Sequence, residues 1–482
     1  MHVISGLSMF QTDQRNFRFG IAFILALTFW RVSLQSVNGT DLFVDEAQYW
    51  LWGQNLDFGY YSKPPMIAWL IRATTELAGS SAAFWIRLPA PLLHMAIALI
   101  LMSITQRIYG VRTAAWVGPI YVALPIVTVG SLVISTDTLM MLFFVLAFAM
   151  YHRLLERPSV RYALIMGGAI GLGMMSKYAA IYFVIGAVLA AVFQVSARLA
   201  RRDILIAILA ALVMMAPNIW WNVAHQLTTL RHTADNANWG DGLYPGAAMA
   251  FFGSQFIVMG PIFFSALVWV TLRLARQRGA DLRLWFFSVP IVLLIIWQAL
   301  MSQAFANWAA SAYLAGAILV ARLLVERRIL LWAGQGINVA FALVMPILLV
   351  EPERWYLPNG DQLLGRYIGR EIVSLDAAEA ADEAKFNTIV AQNRDMLADL
   401  HYTLRDTDLQ FYSTLPMNFA QNYYEQHFPV PTDLSGNVIF IDLSANPPCD
   451  DAKLISENFQ NNGAYAGRTI RFYKASFNCF AQ

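Results

Sequence analysis

The chain reads as an α-helical polytopic membrane protein with a small C-terminal α/β domain, and three observations carry that reading. Hydrophobic residues make up 58% of the 482 residues and charged residues only 13%, against about 25% charged in a soluble domain. Apolar runs of membrane-spanning length recur through the first 350 residues and then stop. From Glu351 onward the composition turns polar and acidic. Fifteen Trp and nineteen Tyr also suit aromatic belts at the two membrane interfaces.

The apolar runs fall near 19–38, 88–104, 114–133, 138–154, 162–176, 179–195, 204–221, 248–272, 284–301, 306–321 and 330–350. At about twenty residues per crossing they predict about eleven helices. The first run, Gly20 to Val37, is too long for a signal-peptide core and lacks a small-residue cleavage site, so it stays as an anchor. Loop charges then set the orientation. One set of loops holds seventeen arginines, from Arg15 and Arg18 to Arg327 and Arg328. The opposite short loops hold five cations, Lys63, Arg72, Arg87, Lys177 and Arg231. The positive-inside rule places the N-terminus in the cytoplasm. An odd number of spans then places the C-terminal segment in the periplasm.

This gives a membrane domain over 1–350 with a large outer loop at 39–87, and a periplasmic domain over 351–482. A second outer loop, 222–247, carries His225, Arg231, His232, Asp235 and Asp241. In the C-terminal domain, Ala377 to Leu404 has helical character. Leu409–Thr414, Val438–Leu443 and Thr469–Lys474 read as short strands. The two cysteines, Cys449 and Cys479, both fall in this exported segment, which predicts a disulfide between them. No internal repeat, phosphate-cradling glycine loop or zinc-type Cys/His spacing is present. The formal net charge is +2, and membrane lipids, not nucleic acid, are the expected surroundings.

The most informative stretch follows the first span. Asp45 and Glu46 stand side by side among Tyr49, Trp50 and Trp52, and Lys63 follows in Tyr61-Ser62-Lys63-Pro64-Pro65. An acidic pair just outside a bilayer, with a cation in the same loop, suits chemistry on a lipid-borne anion. It equally suits an amphipathic surface helix capped by Asp45, with Lys63 reaching the headgroups. A charge at the centre of a span costs about 2.5–3.5 kcal/mol, and the predicted helix interiors are nearly clean. Arg31 and His94 are the main exceptions. The other unusual charges lie at the outer ends of helices: Arg87 opens the second span, Asp137 the fourth, and Lys177 occupies a tight outer turn. Taken singly, Asp137 reads as a helix cap, Lys177 and Arg87 as interfacial cations, and His225 as a hydrogen-bonded interfacial histidine. Their convergence on one membrane face is what points to a site.

Asp45-Glu46, the Tyr-x-Lys63-Pro-Pro stretch, Ile86-Arg87-Leu88-Pro89, Asp137, Gly171-Leu-Gly-x-x-Ser176-Lys177-Tyr178 and Ala306-Asn307-Trp308-x-x-x-x-Tyr313 together resemble the membrane glycosyltransferases of GT-C fold. The resemblance is nearest to the branch of the lipid A aminoarabinose transferases, with protein O-mannosyltransferases more distant. It implies a polyprenyl-phosphate-sugar donor, a lipid A, lipopolysaccharide-core or polysaccharide acceptor, and transfer at the periplasmic face of the bacterial inner membrane. It also implies Asp45 at the reacting centre, Lys63 on the donor phosphate, and Asp137 as a second catalytic acid. Glu46, Tyr61, Arg87, Lys177, His225 and Asn307 are then candidate substrate-binding residues. In the aminoarabinose enzymes a glutamate precedes the first lysine and joins a metal site. Ser62 stands here instead, so the resemblance supplies no complete ligand set for a divalent metal, and no cofactor is assigned.

The chemistry fits these residue types. A sugar on a lipid phosphate has a good leaving group once cations neutralise it, the role open to Lys63, Lys177 or Arg87. A carboxylate such as Asp45 or Asp137 can accept or orient the acceptor hydroxyl's proton. No second carboxylate is placed as a nucleophile, so one inverting displacement is expected. The competing class is a transporter or flippase for a lipid-linked sugar. Transporters usually set ionisable residues at the midplane between repeats, whereas these sit at one surface. A membrane-anchored interaction protein would not need eleven helices.

Overall fold

The computed structural model describes residues 2–239, 242–416, 419–431 and 435–480, with backbone alone for 2–12; Asp241 of the second outer loop lies outside them. The chain divides into two compact units. The first comprises Met1–Ser36, Lys63–Ile67 and Arg87–Pro346; the second comprises Val37–Ser62, Ala68–Ile86 and Ile347–Gln482. The second unit therefore takes in most of the first outer loop, where the sequence reading had drawn a single boundary at 350. Three local contacts explain the grouping. Gly39 donates its backbone N–H to the Leu349 carbonyl at 2.8 Å. The Asp41 carboxylate accepts the backbone N–H of Arg370 at 2.7 Å, at the start of helix Arg370–Ala384. The Trp50 ring meets Tyr402 edge-on at 5.2 Å.

The first unit is helical. Among the described residues, six helices are long and apolar enough to cross a membrane, or up to seven if one bent pair counts as a span. Val160–Ser176, Tyr178–Phe193 and Ala312–Leu324 are apolar but shorter. The run at 248–272 is not one straight helix. Pro245–Val258 and Pro261–Leu272 meet at 119°. Gly260 sits in the bend at φ +90°, and a Cβ there would lie 2.1 Å from the Asn338 amide oxygen, so only glycine fits. The run at 114–133 also breaks: helix Val111–Ala123 ends at Leu124, and Pro125 opens a short helix to Gly130.

Arg31 and His94, inside the spans, have neutral partners. Arg31 donates to the Ser131 hydroxyl, the Val122 carbonyl and the Thr128 hydroxyl at 3.1, 2.6 and 2.9 Å. His94 lies between the Tyr121 hydroxyl at 2.9 Å and the Thr138 hydroxyl at 3.2 Å. Helix Val160–Ser176 packs closely on Arg201–Ala224. A Cβ on Gly167 would fall 2.1 Å from the Ala207 carbonyl oxygen, and one on Gly171 would fall 2.6 Å from the Met214 Cβ. Small residues at this spacing let two helices in a bilayer approach backbone to backbone.

The second unit holds a five-stranded sheet. Its strands are β1 (Thr388–Ala391), β2 (Gln410–Ser413), β3 (Asn437–Asp442), β4 (Lys453–Gln460) and β5 (Arg468–Ser476), ordered β2-β1-β3-β5-β4. β1 runs parallel to both neighbours, with Ile389 opposite Phe411 and Ile439. β5 is antiparallel to β3 and β4, with Phe440 opposite Tyr473. The segment 377–404, expected to be helical, instead contains helix Arg370–Ala384, strand β1 and helix Arg394–Thr403. Lys385 in the left-handed region (φ 59°) ends the first helix, and the Ile389-Val390 pair is buried in the sheet. Asn393 starts the next helix by accepting the Asp395 N–H at 2.7 Å. Val390, Val438, Phe440, Tyr473 and Phe480 form the sheet's core. Cys449 and Cys479 are joined by a disulfide beside it.

Candidate functional site

In the first unit the structure brings together three sequence-predicted residues far apart in the chain. Ser135 is the extended cap of helix Thr136–Glu156, so Asp137 sits in the first turn and its side chain is free for other work. An anion there is favoured by the helix dipole. Lys177 ends helix Val160–Ser176 in an extended conformation, its N–H bonded to Gly173 at 2.9 Å. Its ammonium donates to both Asp137 carboxylate oxygens, at 2.7 and 2.9 Å. The two side chains are only 20% and 15% exposed. Asn307, in the 3-10 turn Ala306–Ala309, donates to the same carboxylate at 3.3 Å. A carboxylate held by a bidentate ammonium and an amide has a fixed orientation, which positioned acid–base or electrostatic work requires.

Asp45 lies in the second unit, as the second residue of helix Val44–Gln54. It is not the cap. That work falls to Glu46, which is buried, 1% exposed, and accepts the Phe43 N–H at 3.0 Å. A third-position glutamate reaching back to the cap's N–H is half of a capping box, so Glu46 has an architectural task, while Asp45 points to another partner. That partner is Arg394, the first residue of helix Arg394–Thr403, whose Nη2 donates to Asp45 at 2.5 Å. Arg394 Nε donates to Gln48 at 2.8 Å, one turn along from Asp45. Further along the same helix, Trp52 stacks on Tyr60 at 4.6 Å and meets Tyr423 edge-on at 5.8 Å. The Tyr60 hydroxyl donates to the carbonyls of Trp52 and Asn55, at 2.9 and 3.0 Å.

The structure places the remaining candidates one by one. Tyr61 and Lys63 are half-buried in the loop before helix Met66–Ala78. Arg87 ends the short helix Ala83–Arg87 and is fully buried. His225 follows helix Arg201–Ala224; its ring stacks on Trp221 at 4.1 Å, and Nδ1 lies 2.8 Å from the Trp221 carbonyl. A metal of the aminoarabinose-enzyme type does not fit these residues. Ser62 supplies no carboxylate, His225 has one ring nitrogen committed to backbone, and among the described residues no group of three or more His, Cys, Asp or Glu could hold an ion.

Sequence reasoning missed Arg394 and Gln48. Arg394 lies 349 positions from Asp45, in a segment with no motif around it. Its only local signal is the Asn393 cap that starts its helix.

The comparisons agree with this architecture. Residues 62–221 match the family described as dolichyl-phosphate-mannose-protein mannosyltransferase. The structure superposes on ArnT from Cupriavidus metallidurans with TM-score 0.64 at 14% identity, covering 95% of this chain and 98% of that one. ArnT bound to undecaprenyl phosphate gives the same TM-score at 13% identity, over 94% and 97% of the two chains. The fold is therefore that of the GT-C membrane glycosyltransferases. Lipid A galacturonosyltransferase RgtD of Rhizobium johnstonii is 44% identical over 473 residues, 96% of this chain and 99% of that protein. The chain belongs to the family of that galacturonosyltransferase.

Proposed function

We propose that this enzyme transfers a galacturonosyl residue from a polyprenyl-phosphate donor to lipid A, at the periplasmic face of the bacterial inner membrane. The observation that carries the proposal is the 44% identity to a lipid A galacturonosyltransferase along 99% of its length. Undecaprenyl phosphate bound to a protein of the same fold supports the donor class. The arginine-rich loops support an inward N-terminus and an outward C-terminal unit.

In the proposed reaction the bond between the sugar C1 and the donor phosphate oxygen breaks as an acceptor oxygen attacks C1 from the opposite face, inverting the anomeric centre. The leaving polyprenyl phosphate takes the electron pair, and Lys63 stabilises its charge. Asp45, held by Arg394, accepts the proton of an acceptor hydroxyl. If the acceptor group is a phosphate, no proton moves and Asp45 orients it. Within the first unit, the Asp137–Lys177–Asn307 cluster keeps a carboxylate in fixed geometry. Tyr61 is proposed as a further substrate contact; the buried Glu46 and Arg87 and the stacked His225 are better suited to shaping their helices.

The test combines purified enzyme, galacturonosyl polyprenyl phosphate and lipid A, read by mass spectrometry, with lipid A from a deletion strain. Galacturonosylated lipid A in vitro and its loss in the deletion strain are expected. Unchanged lipid A in the deletion strain, with another sugar transferred in vitro, rejects the proposal. A phosphatase fused at the C-terminus should be active; a silent fusion rejects the orientation.

A further inference from the structure

Resting on that reading of the donor, we propose that Arg394 forms the subsite for the donor's uronate carboxylate. A galacturonosyl group differs from a neutral galactosyl group by a carboxylate at C6, and selecting it calls for a cation with unused donors beside the reacting centre. Arg394 is such a cation. A guanidinium carries five N–H donors in a planar fork. Here the side edge is spent, with Nε on Gln48 and Nη2 on Asp45. Nη1 makes no hydrogen bond to a described residue, so the end-on edge, Nη1 with the second hydrogen of Nη2, remains open. That edge matches a carboxylate in bidentate fashion. The side chain is half-buried, 37% exposed.

The other cations suit the task less well. Lys177 is committed to both oxygens of Asp137. Arg87 is fully buried. In the second unit, the Arg366 guanidinium lies over the Phe43 ring at 4.7 Å, and Arg370 Nη1 is turned to the Arg366 carbonyl. Among the described residues, Arg394 alone combines an open fork with direct contact to Asp45. Its two fixed bonds also settle the plane of the guanidinium before substrate arrives, so little rotamer freedom is lost when the uronate docks. One residue thus orients the proposed base on its side edge and reads the sugar on its end.

The test measures the affinity of the full-length detergent-solubilised enzyme for galacturonosyl and galactosyl polyprenyl phosphates, in wild type, Arg394→Gln, Arg394→Lys and Asp45→Asn. Wild type should bind the uronosyl donor at least tenfold more tightly. Arg394→Gln should weaken uronosyl binding about ten- to a hundredfold, the value of a charge-assisted hydrogen bond, and move galactosyl binding far less. Arg394→Lys, which keeps the charge without the fork, should fall between. Asp45→Asn should retain the donor preference. Equal weakening toward both donors would make Arg394 only a positioning residue for Asp45 and overturn the subsite. A preference that is absent in wild type, or that survives in Arg394→Gln and Arg394→Lys, overturns it as well. Failure of the parent reading is separately visible, as a wild type that transfers a sugar other than galacturonate.

Discussion

Asp45→Asn separates catalysis from architecture because the structure sets different sizes for the two effects. The substitution keeps the shape and hydrogen-bonding capacity of the side chain and removes its charge. In the fold Asp45 contributes an ion pair with Arg394 whose side chains are 46% and 37% exposed. A pair that open to solvent is worth about 0–1 kcal/mol, so the apparent melting temperature should fall by no more than about 2–4 °C. The helix start is unaffected, because Glu46 caps it. If Asp45 handles the acceptor's proton, transfer should fall at least a hundredfold, about 2.7 kcal/mol of barrier. The assay is transfer from a polyprenyl-phosphate-sugar donor to lipid A by purified enzyme, with thermal stability read on the same sample. Asp57→Asn is the control, an acid of the same loop outside the proposed site, whose carboxylate accepts the N–H of its neighbour Phe58. An Asp45→Asn enzyme of near-normal activity would refute the assignment and move the role to Glu46 or Asp137. Full activity in Asp45→Asn, Glu46→Gln and Asp137→Asn alike would end the carboxylate-centred mechanism.

Removing one partner of the Asp137–Lys177 pair should cost stability of about 2–3 kcal/mol, below the 3–5 typical of fully buried pairs because each side chain keeps some exposure. Asp137→Asn with Lys177→Met should cost less than the sum of the singles; additive losses would show that the pair is uncoupled. Reducing the Cys449–Cys479 disulfide, which spans a separation of 30 residues, should destabilise the second unit by about 3.5 kcal/mol. Unchanged protease resistance after reduction would contradict this. A pair of buried groups gives the second unit a compensated pH response. Burial pushes Asp399 up to about 6, against the opposing hydrogen bonds from Ser374 and Thr403, and burial among aromatic rings pushes His401 down to about 4. The raised carboxyl makes the native state bind more protons than the unfolded chain, so its contribution favours folding at low pH and is lost as pH rises toward 6. The depressed imidazole does the opposite: its contribution is present above about 6.5 and is lost as pH falls toward 4. Each amounts to about 3 kcal/mol, so they nearly cancel. Asp399→Asn should therefore lose stability on acidification from pH 6.5 to 4, and His401→Phe should gain it. Melting curves of the two variants with the same pH slope would refute the assignment.

The sequence by itself determined the membrane class, the likeness to GT-C glycosyltransferases and the chemistry-bearing residue types, because each is written locally. Apolar run length is a local property that the bilayer reads directly. The Asp45-Glu46 pair, the Lys63-Pro-Pro stretch and the Lys177 turn are contiguous motifs, and two cysteines confined to one segment leave a single pairing. What only the tertiary structure decided is which groups meet. Nothing near Asp137 marks Lys177, forty residues on, as its partner; helix Val160–Ser176 ends at Ser176, and the extended backbone at Lys177 lets the ammonium reach the acid. The bend at Gly260 lies inside a largely apolar run whose periodicity carries no trace of it; Gly260-Pro261 permits a break there, and the packing against Asn338 makes it a 119° bend. The β1 strand was hidden for a related reason: four residues between two helical patterns are too short for an alternating signal, and pairing with β2 and β3 is what makes them a strand. Arg394 is the clearest case. Its importance depends on a helix of the C-terminal segment packing against the first outer loop, a contact between chain segments 349 positions apart. Local residue chemistry says that Asp45 needs a partner, and long-range packing alone selects which one.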